Sequence, residues 1–205
     1  FRIMVESQSI ELMQAISRAT ERVSVGELRQ IEETGNYDLS EDEYVSIIAD
    51  KTASLFSVSC EAGPILGKRS ERDRRRFAEF GEKVGIAFQI ADDLLDFVGD
   101  LESTGKEPGN DVLTGKVTLP LIYAFKKAGK KTRDEMISHL GNNHSDKNSF
   151  DKIYQFVNET GGIDYAYKRA GVLSNQGLEA ISNISESVYQ QSLNNMVTFT
   201  IKRAS

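Results

Sequence analysis

The chain has 205 residues, 39% of them hydrophobic, with 31 acidic and 25 basic side chains and a formal net charge of −6. That length suits one domain with a real core, or a large part of a bigger one, and the acidic balance argues against bulk attraction to nucleic acid while leaving room for a local basic site. The single cysteine, Cys60, excludes an internal disulfide framework and fits a reducing compartment; no run approaches the apolar length of a membrane span, and the N-terminus does not read as a signal peptide.

Residues 5–23 carry Val5, Leu12, Ile16, Ala19 and Val23 near helical spacing. The loop G-N-Y-D-L at 35–39 leads to Ser40, and Glu43 follows three positions later. Together they form a capping-box pair for a helix over 41–61. Its apolar stripe runs Tyr44, Ile48, Leu55 and Val58, and Gly63, Pro64 and Gly67 interrupt the pattern. Ser70 with Asp73 makes a second capping pair, opening a long helix that runs to about Phe97. Its basic start, Lys68, Arg69, Arg72, Arg74, Arg75 and Arg76, reads as a solvated face. A nucleic-acid patch would want aromatic residues and positive surroundings, and neither is present.

The segment from Gly99 to Gly115, with Gly105, Pro108 and Gly109 inside it, is predicted as a long loop. Loops of this length often serve as lids or binding loops. Thr118 and Pro120 suit the opening of another helix. Shorter helices are expected over 133–140 and 149–159. After Gly161 and Gly162 a final helical region covers 163–200, in two pieces around Gly177. No alternation supports a strand, and no repeat or interdomain linker is present. The expectation is an all-α chain.

The chemistry concentrates in F-Q-I-A-D-D-L-L-D, Phe88 to Asp96. Helical positions three and four apart share a face, so Gly85, Gln89, Asp92 and Asp96 form one stripe, with Asp93 beside it. The neighbours Ile86, Phe88, Ile90, Leu94 and Leu95 are apolar. Like charges at that spacing repel, and burial makes each charge costlier. A bound cation resolves the conflict, and oxygen ligands alone favour a hard one such as magnesium. By spacing alone, a charged patch near a helix end is an equal reading. An EF-hand is a poor match, because the acids lie in helix rather than in a twelve-residue loop.

Three lysines bear on that choice. Lys51 falls between Ile48 and Leu55, pointing towards the core or a cavity, unless it snorkels outwards. Lys106 and Lys116 lie in and at the end of the glycine-rich loop that follows the acid helix. Alone each reads as a surface lysine. Together they put positive charge beside a metal-ready acid cluster, which suits a phosphate-bearing ligand. No P-loop is present: G-K-V-T at 115–118 lacks the leading glycine spacing and the preceding strand. His139 and His144 read as surface or core residues, and Cys60 as a small buried side chain.

These segments resemble the trans-prenyltransferases that make polyprenyl diphosphates. G-E-L-R-Q at 26–30 is similar to the family's G-E-x-x-Q segment, and K-T-A-S-L-F at 51–56 to its lysine-threonine helix. G-I-A-F-Q-I-A-D-D-L-L-D at 85–96 resembles the second aspartate-rich motif, and residues 105–120 the loop that follows. The closing T-I-K-R-A-S resembles the family's arginine-bearing terminus. The resemblance implies an all-α, isoprenoid synthase-type helical bundle around a central cavity, usually in a homodimer. It implies ionisation of an allylic prenyl diphosphate and attack by isopentenyl diphosphate. Asp92 would be the main magnesium ligand, with Asp93 and Asp96 holding the ion directly or through water. Lys51, Lys106 and Lys116 would contact the allylic diphosphate. Thr52 and Gln89 would sit close to the reacting carbon and the departing diphosphate, with Gln89 also counted among the substrate-binding residues. No nucleic acid is expected as a partner, no transmembrane segment, and a location that is cytoplasmic or peripheral to a membrane.

The family carries two aspartate-rich motifs, and only the second is found here. Residues 1–205 therefore read as the C-terminal portion of a single polyprenyl synthetase domain. One alternative is a non-catalytic or regulatory partner subunit of a prenyl diphosphate synthase. Another is a terpene cyclase, disfavoured because no Asn/Asp-Ser/Thr-Glu metal pattern occupies the matching place. The 205 residues alone are expected to elongate nothing; formation of a longer prenyl diphosphate by the isolated chain would overturn that expectation.

Overall fold

The computed structural model describes residues 2–99, 108–141 and 147–202. Among them the regular structure is helical throughout, in the order α1 (Arg2–Glu6), α2 (Ile10–Glu32), α3 (Glu41–Ile48), a π turn (Ala49–Ala53), α4 (Ser54–Leu66), α5 (Glu71–Val98), α6 (Asn110–Leu113), α7 (Leu119–Lys127), α8 (Lys130–Gly141), α9 (Lys147–Glu159), α10 (Gly162–Ala180) and α11 (Val188–Lys202). The all-α expectation holds. No helix among the described residues is long and apolar enough to cross a membrane.

The predicted caps form. The Ser40 hydroxyl accepts from the Glu43 N–H at 3.2 Å, and the Glu43 carboxylate accepts from the Ser40 N–H at 2.9 Å. The Ser40 N–H, joined by the Ser40 hydroxyl donating to the same carboxylate at 2.7 Å, holds the Glu43 carboxyl below its ordinary value. The Ser70 hydroxyl likewise accepts from the Asp73 N–H, opening α5. α5 is the central pillar of the bundle, packed between α4 and α10. It buries Phe80, Val84, Ile86, Ile90, Leu94 and Phe97. Tyr44, Ile47 and Ile48 of α3 join Ile86, Ile90, Leu94 and Phe97, with Leu119, Leu121 and Phe125 of α7, while Phe80 and Val84 pack with Ile181 and Val197. Each such large apolar side chain contributes about 1.5–3 kcal/mol on full burial.

Several boundaries differ from the sequence reading. α2 begins at Ile10 and continues through G-E-L-R-Q to Glu32. α4 passes through Gly63 and Pro64, because Gly67 and Arg69 close its end on the carbonyls of Gly63 and Pro64. The last region divides at 181–187, while Gly177 lies inside α10 against Val84. The helix expected over 41–61 is broken by the π turn, which inserts an extra residue and turns the following face by about 100°. After that shift Leu55 is 47% exposed, and Val58 is buried against Leu12, Ala15 and Ala19 of α2 rather than with Tyr44 and Ile48.

The π turn is gripped from two sides. A Cβ on Gly26 of α2 would lie 2.4 Å from the Lys51 backbone nitrogen, and one on Gly85 of α5 would lie 2.6 Å from the Ala53 Cα. Backbone approaches this close exclude any larger residue. Gly85→Ala is expected to cost about 1–3 kcal/mol through overpacking, whereas Gly129→Ala, with nothing within 4 Å of the new methyl, changes stability little. Urea unfolding of both variants checks this; equal midpoints would show that the helices can part freely.

Candidate active site

Four of the residues singled out from the sequence meet in one hydrogen-bonded run. The Thr52 hydroxyl donates to Gln89 Oε1 at 2.8 Å. Gln89 Nε2 donates to Asp93 Oδ1 at 2.9 Å, and Lys116 Nζ donates to the same oxygen at 3.0 Å. The π turn supplies Thr52, α5 supplies Gln89 and Asp93, and the segment between α6 and α7 supplies Lys116.

Two further members were not anticipated. Tyr44 donates its phenolic hydrogen to Asp93 Oδ2 at 2.6 Å, and Asp111 accepts from Lys116 Nζ at 2.7 Å. A buried tyrosine hydroxyl needs a partner, so Tyr44 in an otherwise apolar stripe was a readable signal. Asp111 lies in a segment without periodicity, and nothing in its spacing marked it.

The electrostatics fix the protonation of the donors. Burial, joined by the Asp93 charge, raises the Tyr44 phenol well above its ordinary value, so it remains a donor. Burial opposes the Lys116 charge, but Asp93 and Asp111 outweigh it and hold the ammonium above the ordinary lysine value.

The three aspartates of the motif stand in different environments. Asp93 has 0% side-chain exposure. Asp92 is exposed, at the edge of the run, with Gln89 Nε2 3.5 Å from its Oδ2. Asp96 is half-buried, and its Oδ2 accepts from the backbone N–H groups of Asp111 and Val112 at 3.1 and 3.4 Å. Among the described residues no group of three acidic, histidine or cysteine side chains is poised to hold a metal ion. The donor chemistry of Asp92 and Asp96 nevertheless suits a hard cation. Burial raises the Asp96 carboxyl above its ordinary value, and the Asp111 charge adds to this against the two N–H groups and the Lys116 charge. Such a carboxylate is short of compensating positive charge.

Lys51 is adjacent to Thr52, but its ammonium turns to α2, meeting Glu27 at 2.6 Å and the Gln30 side-chain oxygen. The G-E-L-R-Q segment thus holds the π-turn lysine. Lys106 lies outside the described residues. Next to Gln89 along α5, the ring of Phe88 packs on that of Phe56 with centroids 5.2 Å apart.

The architecture places this chain in the all-α isoprenoid synthase fold. A polyprenyl synthase from Caulobacter crescentus CB15, solved with calcium and isoprenyl diphosphate, superposes with a TM-score of 0.93 at 28% identity, over 100% of this chain and 62% of that one. A decaprenyl diphosphate synthase from Rhodobacter capsulatus gives 0.92 at 26% identity, over 100% and 63%. The polyprenyl synthetase family pattern matches residues 1–157, and the chain belongs to that family. Among its relatives, an all-trans-nonaprenyl-diphosphate synthase (geranyl-diphosphate specific) of Rhodobacter capsulatus is 32% identical over 99% of this chain and 62% of its own length. An octaprenyl diphosphate synthase of Haemophilus influenzae is 28% identical over 99% and 61%. The chain therefore spans about three-fifths of the length of these relatives.

The raised Asp96 carboxyl sets a pH test. A carboxyl raised on folding favours the fold most when protonated, and that contribution is lost as pH rises from the ordinary value through the raised one. In chelator, Asp96→Asn is expected to melt above the parent at neutral pH, with the gap closing below about pH 4. Thermal melts across that range check it; a variant that melts below the parent at neutral pH would show that the ionised group stabilises the fold.

Proposed function

We propose that the complete protein is a prenyltransferase that condenses an allylic prenyl diphosphate with isopentenyl diphosphate to give a longer trans-polyprenyl diphosphate. In this reading residues 1–205 are the C-terminal portion of one polyprenyl synthetase domain. The observation that carries it is the Thr52–Gln89–Asp93–Lys116 run set beside the carboxylates Asp92 and Asp96. Membership of the polyprenyl synthetase family supports the same reading.

The demanding step is heterolysis of the allylic carbon–oxygen bond, which leaves a carbocation and a diphosphate of growing negative charge. Lys51, Lys106 and Lys116 act as cationic donors to that diphosphate, stabilising charge where it develops. Asp92 and Asp96 would hold a divalent cation, magnesium in this reading. When bound, such an ion neutralises leaving-group charge. Thr52 has given its hydrogen to Gln89. Its oxygen therefore keeps lone pairs available to an electron-poor carbon. An apolar residue such as Phe88, beside Gln89 and packed on Phe56, would help to exclude water that would otherwise capture the cation. The final proton goes to the released diphosphate, so no histidine base is required. Assembly as a homodimer and a cytoplasmic or membrane-peripheral location belong to the same proposal. The exposed apolar side chains Val25, Leu28 and Ile31 on α2 support a face that packs against further protein.

Isothermal titration of the chain with geranyl diphosphate tests the reading. Binding is expected with magnesium and not in chelator, and Asp92→Asn should weaken it by about tenfold or more, as loss of a metal contact does. Lys51→Ala should weaken it as well. Equal affinity with and without magnesium would remove the cation from the proposal.

A further inference from the structure

Asp93 stands apart from its two neighbours in the motif. We propose that Asp93 is not a cation ligand but an anchor that positions Gln89, Thr52 and Lys116, with Tyr44 as the positioning residue that fixes its second oxygen. This assignment rests on the diphosphate reading of the site and refines it.

The geometry of the carboxylate is the first argument. Its side chain has 0% exposure, while Asp92, the next residue back, is exposed. Adjacent helical positions point about 100° apart, so the two do not share a face. Asp93 Oδ1 accepts from Gln89 and Lys116, and Oδ2 accepts from Tyr44. A carboxylate offers about four lone-pair sites; three are taken, and no solvent reaches the remainder. Turning Asp93 outward to meet a cation would break all three contacts. It would also leave the Tyr44 hydroxyl, on a side chain only 2% exposed, without its acceptor.

The second argument concerns direction. An ionised carboxylate only accepts hydrogen bonds. It therefore draws the Gln89 NH2 group towards itself and turns Gln89 Oε1 towards Thr52. Thr52 can then only donate along that line, which sets which side of its hydroxyl remains free. Asp93 thus fixes the polarity of a hydroxyl two hydrogen bonds away. The same carboxylate, with Asp111, holds Lys116 in place. Lys116 is then ordered without the help of a ligand.

Two measurements on the 205-residue chain decide the matter. The first is acetylation of lysines by acetic anhydride, quantified residue by residue by mass spectrometry. Lys116 labelling is expected to rise several-fold in Asp93→Asn and by less in Tyr44→Phe, with no change in Asp92→Asn. Lys126, remote in the fold, reports on any general loosening and should stay at the parent level. Unchanged Lys116 labelling in both anchor variants overturns the proposal, and Tyr44→Phe carries the test if Asp93→Asn does not fold. The second is manganese binding in the presence of inorganic diphosphate, followed by electron paramagnetic resonance. Asp92→Asn should lose about tenfold or more in affinity, while Asp93→Asn loses severalfold less, through the loosened Lys116 alone. An equal loss in both overturns the anchor. A parent chain that binds neither manganese nor diphosphate sinks the diphosphate reading, whereas the labelling pattern then still supports the anchor.

Discussion

An ionised side chain without access to water is tolerated only when its surroundings neutralise it, and Asp93 imposes that condition on three parts of the fold at once. Tyr44 reaches it from α3, Gln89 from α5, and Lys116 from the segment before α7. Those donors come from positions 49 residues before, 4 before and 23 after the carboxylate. Each must be in place for the burial to be bearable, so the charge ties distant elements together more selectively than apolar packing could. Apolar contacts tolerate substitution by shape; a buried charge tolerates almost nothing.

The π turn supplies the other half of the arrangement. Gly26 and Gly85 let α2 and α5 close on it until backbone meets backbone. On its flank, Asp50 takes Arg22 of α2 at 2.8 Å, and the same arginine reaches Glu82 of α5 at 2.9 Å. The turn is therefore pinned by close contact and by ion pairing, and Lys51 and Thr52 inherit that rigidity. Extra-residue turns of this kind interrupt a helix at a cost in regularity and recur at functional positions. Here the interruption lets Thr52 reach Gln89, while the following face rotates and Leu55 is left outward.

Much of this was legible from spacing alone. Capping pairs at Ser40 and Ser70, and the long acid-bearing helix to about Phe97, follow from local rules that depend on a few neighbouring residues. Thr52, Gln89, Asp93 and Lys116 were singled out, and the fold brings them into one run. What escaped was non-local. The motif spacing treated Asp92, Asp93 and Asp96 as a group, yet only the packing of α3 and α7 against α5 decides which of the three is buried. The π turn left no mark in A-D-K-T-A, since no residue there forbids an ordinary α-turn. Asp111 and the Lys51 contacts with Glu27 and Gln30 depend on tertiary placement, and helical periodicity is silent on it.

The outcome is a division of charge. Asp93, Lys116 and Asp111 compensate one another through short contacts and form an inner, largely self-satisfied set. Asp92 and Asp96 form an outer set, and at Asp96 burial and the Asp111 charge outweigh the two backbone N–H groups and the Lys116 charge that favour ionisation. On the proposed chemistry the demand for a cation falls on the outer pair, at the exposed side, and not on the inner carboxylate, which is closed to solvent. A site built this way keeps its donors ordered while leaving an unmet electrostatic need at its exposed side. On the proposed chemistry that need is met only when cation and diphosphate come together, because the cation alone would still lack most of its oxygen shell.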